Sequence, residues 1–441
     1  MSRRRLAGVL AMILAICTAA RPAMAAVDPA ASFQVDSNSW QQWPQAADIQ
    51  AKTGVVMEAE TGAVLYAKGM DAQRYPASLT KIMTALLLVE NCGMDQQITM
   101  TETGLSEAYP GSSNCSPVLG EVFTAEQCLQ MILIKSANDV ATQTAEYMGG
   151  SVQGFADMMN DRAAKLGCVS THFTNASGLE STADHYTSAH DLALITREAI
   201  KNDKFRETFG TRYVTIPATN MSGERGYGTH IMMLDPASPY YYQGCFGGKT
   251  GFTDEAQNCL MVCAERNGVT LIGVLMGCAD GGLICQEMAK VLDYGFSQFT
   301  KTDMTDGLKV SQGGKAMVPA GVSAADVEVR EAAGPEGQIQ FTYEYGGRIL
   351  GTASAAEADY TAWQAAQKQA EETPAPAEEG SGDISGSSQN GNTSSETETS
   401  GAGRLLYLVM AVLGALILAG IVLIFVGAHR NKQYRRKNER K

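Results

Sequence analysis

The chain has 441 residues, 45% of them hydrophobic and 18% charged, with a formal net charge of −13 at pH 7. That length accommodates two or three domains and a full hydrophobic core. So acidic a balance argues against a nucleic-acid partner, which needs a basic footprint, and the 5 dispersed histidines show no metal-ligand spacing, so neither a metal nor a cofactor is expected.

The N-terminus places the protein before any chemistry is considered. Arg3, Arg4 and Arg5 precede an apolar run from Leu6 to about Ala20, followed by Ala23-Met24-Ala25. That order of charge, apolar run and small residues predicts a secretory signal peptide over residues 1–25. Cys17 falls inside it, and an odd number of cysteines remains, scattered and often within apolar segments such as those of Cys259 and Cys263. Buried free thiols are expected for most, with Cys115–Cys128 as the one candidate bridge.

Residues 26–50 form a lead whose Trp40 and Trp43 have no evident role. Val55–Ala59 and Ala63–Ala67 read as two strands joined across Glu60-Thr61-Gly62. A helix follows from Ser78, apolar almost all round through Val89 and therefore buried on every side. Thr124 and Gln127 form a capping-box pattern opening a helix to about Ile134. Helical periodicity recurs at Val140–Tyr147, Phe155–Leu166 and Asp191–Ile200. Asn258–Ala264 and Val269–Met276 are strand-like and flank the hairpin turn Arg266-Asn267-Gly268, and a helix over Leu283–Tyr294 closes the region.

The expected fold is α+β: one antiparallel sheet built from both ends of residues 33–300, with helices on both sides and a helical lobe inserted between. A separate small β unit is expected over 305–360, with Lys309-Val310, Val327–Val329, Gln338–Tyr345 and Arg348–Ala353 strand-like. From 369 to 403 the chain is rich in Pro, Ser, Gly and Glu without a basic residue, which predicts a disordered acidic linker reaching roughly 30–35 Å. Leu405–Ala428 is uncharged and apolar; at about 1.5 Å per residue it spans roughly 36 Å, enough to cross a bilayer. The basic tail 429–441 then stays cytoplasmic, leaving everything before Leu405 outside.

Three segments carry candidate chemistry. Ser78-Leu79-Thr80-Lys81 opens the buried helix, and positions three apart share a helix face, so Lys81 stands beside Ser78. A serine hydroxyl needs a base, and a lysine desolvated among apolar neighbours loses proton affinity and can serve. Ser136-Ala137-Asn138 lies between two helices; capping is its ordinary use, while a functional reading puts Ser136 in the proton path and Asn138 on Lys81 and a substrate amide. Lys249-Thr250-Gly251 lies on a strand after Gly247-Gly248, where a lysine and a hydroxyl suit a substrate carboxylate. The backbone N–H of Phe252, with that of Ser78, could form an oxyanion hole.

Singly these motifs are weak, but the ordered triplet is that of penicillin-binding proteins and class A β-lactamases. Pro76–Ala85, Ser136-Ala137-Asn138-Asp139, Met159-Asn160, His172-Phe173-Thr174-Asn175-Ala176-Ser177-Gly178-Leu179 and Lys249-Thr250-Gly251-Phe252-Thr253-Asp254 resemble the low-molecular-mass penicillin-binding proteins, the serine-type D-alanyl-D-alanine carboxypeptidases. The resemblance covers roughly residues 33–300 and is looser over the β unit. It implies removal of the terminal D-alanine from peptidoglycan pentapeptide stems through an acyl-enzyme on Ser78, and inhibition by β-lactams at the same serine. It further implies Lys81 as base, Ser136 as proton relay, Asn138 on Lys81 and substrate, and Lys249 and Thr250 on the terminal carboxylate. Phe252 departs from the polar residue of many relatives, which puts a secondary contact there in question. His172 and His185 read as structural. A β-lactamase, a non-turnover β-lactam sensor and a cross-link endopeptidase are the alternatives at this stage. A class A β-lactamase would need a deacylating glutamate in a Glu-x-x-Leu-Asn stretch, which is absent between Ser136 and Lys249.

Overall fold

The structure is a computed structural model that describes residues 27, 28, 30–179 and 183–372. The leader, the span 405–428 and the tail 429–441 lie outside the described residues. Among the described residues no helix is long and apolar enough to cross a membrane.

Strand β1 (Thr53–Glu58) pairs antiparallel with β2 (Val64–Lys68). The chain then turns through a 3-10 segment, Ala77–Thr80, into helix α1 (Lys81–Asn91). A short hairpin of β3 (Gln97–Thr99) and β4 (Val122–Thr124) leads into α2 (Ala125–Gln130), opened by the expected Thr124–Gln127 capping box. α2 continues as a π turn over Met131–Lys135 rather than as regular helix, and ends at Ser136 in the left-handed region. Helices α3 (Asn138–Gly149), α4 (Val152–Lys165), α5 (Ala189–Ala199) and α6 (Asp203–Phe209) complete the lobe.

A hairpin of β5 (Tyr213–Ile216) and β6 (Arg225–Gly228) follows. Then come β7 (Cys245–Gly251), β8 (Asn258–Arg266), β9 (Val269–Cys278) and α7 (Gly281–Gln298). The main sheet runs β2-β1-β9-β8-β7, antiparallel throughout, so its two ends in sequence meet as expected and β7 is an edge.

Alternation along the central strands explains why both faces are covered. Val55, Met57, Met261, Ile272 and Val274 point into the core under the helical lobe, while Val56, Leu260, Val262, Leu271 and Leu275 point to the core under α7. Trp43 has a role after all: it is buried in that second core, donates from Nε1 to Leu65 O at 2.9 Å, and packs on Trp40 and Phe299.

The β unit departs from expectation in three places. Lys309-Val310 is not a strand; the pairing segments are β10 (Phe299–Asp303), β11 (Gln312–Gly313) and β12 (Lys315–Pro319), because Gly313 and Gly314 at φ 72° and 99° break any alternation. β13 (Glu328–Ala333) runs well beyond Val329, and with β14 (Gln338–Tyr345) and β15 (Arg348–Ala356) it forms a sheet of order β11-β15-β14-β13. Residues 369–372 are not linker: α8 (Glu357–Glu372) extends through them, anchored by Tyr360 stacked on Trp363 and by the Trp363 indole donating to Asp306 O at 3.0 Å.

The Cys115–Cys128 bridge is also absent: both thiols are free and buried, as are most of the nine described cysteines. Burial pushes the Cys115 thiol up to about 12, which makes it a packing group rather than a reactive one. Denaturing the protein without reductant should therefore leave all nine cysteines of residues 27–372 open to a thiol-alkylating reagent, read by peptide mapping; two that escape alkylation would establish a bridge.

Candidate active site

The nucleophile turn is held under backbone tension. Ala77, just before Ser78, has φ 45°, a conformation non-glycine residues rarely adopt. Two glycines make room for it. A Cβ on Gly178 (φ 87°) would lie 1.8 Å from Ala77 O, and one on Gly251 would lie 2.9 Å from Pro76 O and 3.1 Å from Ser78 N. Both therefore let backbone approach backbone where a side chain would not fit. The second contact brings the end of edge strand β7 against the start of the nucleophile turn.

Lys81 begins α1 with no solvent exposure. Its Nζ lies 2.9 Å from Ser78 Oγ, 2.6 Å from Asn138 Oδ1 and 2.6 Å from Ser177 O. The last two partners are carbonyl oxygens, able only to accept. An uncharged amine has two N–H groups and one lone pair, so these carbonyls take both hydrogens and leave the lone pair for the Ser78 hydroxyl. Burial, and then the neighbouring Lys249 charge, hold the Lys81 amine well below the ordinary lysine range; Glu107 and Asp139 oppose this more weakly. The arrangement can remove the serine proton.

Each carbonyl is itself fixed. Asn138 donates from Nδ2 to Ser112 Oγ at 2.9 Å, which turns Oδ1 toward Lys81, and its backbone N–H donates to Ser113 O at 2.7 Å. The expectation that Asn138 also meets a substrate amide thus needs the Ser112 hydroxyl to yield. Ser177 sits in a tight loop whose Ser177 and Gly178 N–H groups donate to Asn175 Oδ1 at 3.1 and 2.7 Å. Asn160 clasps the same loop from α4, giving to Phe173 O and receiving from Phe173 N, both at 2.8 Å.

The second proton site lies opposite. Ser136, at φ 64°, caps the π turn, and Lys249 Nζ donates to its Oγ at 2.8 Å and to Thr250 O at 2.8 Å. Burial brings Lys249 down to about 7. Ser78, Ser136, Thr250, Gly251 and Phe252 line one cleft of about 320 Å³. Phe252 is 62% exposed at its mouth.

His185 is structural, as expected. Its Nδ1 accepts from Thr174 N at 3.0 Å, so Nε2 carries the hydrogen and donates to Thr80 Oγ1 at 2.9 Å. Burial drives it down to about 3, leaving it neutral at working pH. His172 holds Asp184 O at 2.7 Å and lies away from the cleft wall.

All eight residues singled out from the sequence fall in or against this cleft. Sequence reasoning missed Ser177, whose carbonyl orients the base, and Ser112 and Ser113, which fix Asn138; it also missed His230 in the cleft wall. Ser177 is legible in the sequence, since it stands in the Asn175-Ala176-Ser177-Gly178 stretch that carries the family resemblance. Ser112 and Ser113 sit in a loop with no periodic signal.

The family model for peptidase S11, D-alanyl-D-alanine carboxypeptidase, matches residues 40–280. The chain belongs to the D-alanyl-D-alanine carboxypeptidase family. Within that family it is 33% identical over 254 residues to the carboxypeptidase DacF of Bacillus subtilis, covering 57% of this chain and 63% of the relative. It is 31% identical to the D-alanyl-D-alanine carboxypeptidase of Streptomyces sp. strain K15, covering 56% of this chain and 88% of that one. The crystal structure of the Mycobacterium tuberculosis H37Rv D-alanyl-D-alanine carboxypeptidase superposes with a TM-score of 0.53 at 28% identity, over 58% of this chain and 95% of that chain.

Changing Asn138 to Asp tests the cradle. A carboxylate beside Lys81 favours the charged amine, typically by about 1–3 pH units. The limb of the acylation profile that reports Lys81 deprotonation should move up by a similar number of pH units, so that acylation of Ser78 is slowed below that limb and recovers as pH rises. Stopped-flow acylation rates against pH check this; a uniform loss with no displaced limb would contradict it.

Proposed function

We propose that the protein is a serine-type D-alanyl-D-alanine carboxypeptidase that removes the terminal D-alanine from peptidoglycan pentapeptide stems and is acylated by β-lactams. The observation that carries this reading is the fully buried Lys81 amine 2.9 Å from the Ser78 hydroxyl, with carbonyl oxygens of Asn138 and Ser177 as its other two partners. The substrate enters with its terminal carboxylate on Lys249 and Thr250. Ser78 Oγ attacks the penultimate carbonyl as its proton passes to Lys81, and the Ser78 and Phe252 backbone N–H groups receive the developing oxyanion. The proton taken up by Lys81 passes by way of Ser136, which Lys249 holds at 2.8 Å, to the leaving amine, and water then hydrolyses the resulting ester and restores the Ser78 hydroxyl.

The β-lactamase alternative requires a carboxylate to activate the deacylating water. Among the described residues lining the cleft there is no Asp or Glu. A leader over 1–25 and a spanning segment over 405–428, joined by an acidic linker, would hold residues 33–300 and the β unit outside the membrane; this rests on the sequence pattern.

Labelled penicillin should bind the wild type covalently and leave Ser78→Ala unlabelled on a denaturing gel; equal labelling would remove Ser78 from the mechanism. Lys249 adds a pH signature. Since its proton affinity is depressed to about 7, the free enzyme loses this cation as pH rises through that value. Capture of carboxylate-bearing peptides should then weaken on the alkaline side, while esters lacking the carboxylate stay flat. Lys249→Ala should abolish the difference between the two substrates.

A further inference from the structure

The N-terminal lead closes a cavity beside the segment that enters the nucleophile turn. Arg74 stands four residues before Ser78 and is only 5% exposed. Its backbone exchanges two hydrogen bonds with Thr187, donating at 2.7 Å and accepting at 3.0 Å, which fixes the chain ahead of the turn. Its guanidinium donates from Nη1 to Asp28 O at 2.7 Å and from Nη2 to Ala31 O at 2.6 Å, and its Cζ lies 5.5 Å from the centre of the Phe33 ring. Phe33 is seated on Gly69, where a Cβ would come within 2.5 Å of the ring. Asp28, Phe33, Asp71, Gln73, Arg74 and Ser170 are among the walls of the resulting cavity, of about 330 Å³. That is the small end of the roughly 300–1,000 Å³ of ligand pockets, room for one ring rather than a chain.

Two polar atoms of these walls are orphaned. Arg74 Nε and Gln73 Oε1 are both buried, and neither has a hydrogen-bond partner among the described residues. A buried donor or acceptor left unmade is costly, and here one of each belongs to a single cavity. The group that satisfies both offers an acceptor to Arg74 and a donor to Gln73, and a secondary amide carries the two together. The charges favour a neutral ligand. The Arg74 cation already feels the Asp28 carboxylate, and Asp71 Oδ1 is paired with His190 Nδ1 at 2.9 Å. Phe33 supplies an apolar ring face, and the two carboxylates add acceptors for hydroxyl groups. Amide, ring and hydroxyls describe an N-acetylated amino sugar.

We infer that this cavity is a glycan subsite, taking one N-acetylated sugar of the strand from which stem peptides hang. The reach agrees with that use. Four residues of chain separate Arg74 from Ser78, so their Cα atoms lie at most about 14 Å apart. The carbonyl attacked in a pentapeptide belongs to its fourth residue, and four extended residues span about 13–14 Å. A sugar held beside Arg74 thus keeps its own stem within range of the nucleophile. Sugar binding is independent of the Ser78 chemistry; its use as an anchor for the stem rests on the carboxypeptidase reading.

Full-length protein in detergent gives two readouts. With tetra-N-acetylchitotetraose, saturation-transfer NMR should show signals strongest at the acetyl methyls, whereas cellotetraose, with hydroxyls in place of acetamido groups, should show none. Separately, kcat/KM for D-alanine release from a disaccharide-linked pentapeptide should exceed that for the free pentapeptide by about tenfold. Gln73→Leu and Phe33→Ala should each bring this ratio below about twofold, mainly through KM, while release from the free pentapeptide changes less than about twofold. Gln73→Leu removes an unpaired buried oxygen, so its melting temperature should not fall, which separates loss of the ligand from loss of the fold. No signal from the acetylated oligosaccharide, equal signals from both, or a ratio that survives both substitutions overturns the subsite alone. Signals confined to the acetylated oligosaccharide, with no D-alanine released from either peptide, uphold the subsite and overturn the carboxypeptidase reading.

Discussion

The structure depends on a lysine that must be buried without a charge. An ammonium at the Lys81 position, without exposure to water, would cost several kcal/mol in desolvation. Neutralisation avoids that cost and yields a base. The amine is then directed by what surrounds it: two fixed carbonyls, from Asn138 and Ser177, accept its hydrogens and point its lone pair at Ser78. A hydroxyl in either place could donate and would leave the lone pair undirected.

This requirement accounts for the shape of the lobe. The two carbonyls come from segments far from Lys81 in sequence, one at the start of α3 and one in a loop clasped by Asn160 from α4. The π turn at Met131–Lys135 and the left-handed Ser136 swing the chain so that one serine faces Lys249 while Asn138, two residues on, faces Lys81. Left-handed backbone at Ala77 and Ser136 marks the two sites where a hydroxyl is held against local preference. The β5–β6 hairpin braces the far side: the Arg225 guanidinium bonds buried Glu121, and the Tyr227 hydroxyl donates to Cys115 O at 3.3 Å. Cys115 N in turn donates to Asp139 Oδ2 at 2.9 Å, which ties the bracing to the helix that carries Asn138.

What the sequence made legible follows a physical division. Periodicity located β1, β2, β8, β9 and the long helices within a few residues, since each buries a regular apolar face. The motif residues were legible because their chemistry is confined to few residue types. Illegible were features set by backbone geometry or by distant partners. The π widening of α2 leaves no compositional mark. The β5–β6 hairpin has Gly226 and Gly228 where strand formers would be expected, because the Tyr213 hydroxyl lies where a Gly226 side chain would be. The Cys115–Cys128 suggestion failed because sequence proximity carries no information on how two thiols are oriented. In the β unit, β14 and β15 are legible from their regular alternation and β13 only at its start, whereas β11 and β12, which meet at Gly313-Gly314, are not.

The protonation state of one amine decides the account. In protein labelled with 15N-lysine, the Lys81 Nζ signal, assigned by its absence in Lys81→Arg, can be followed through a pH titration. Lys81 should be an uncharged amine at neutral pH and take up its proton only well below the ordinary lysine range. An ammonium signal persisting to about pH 10 would show that Lys81 cannot be the group that deprotonates Ser78.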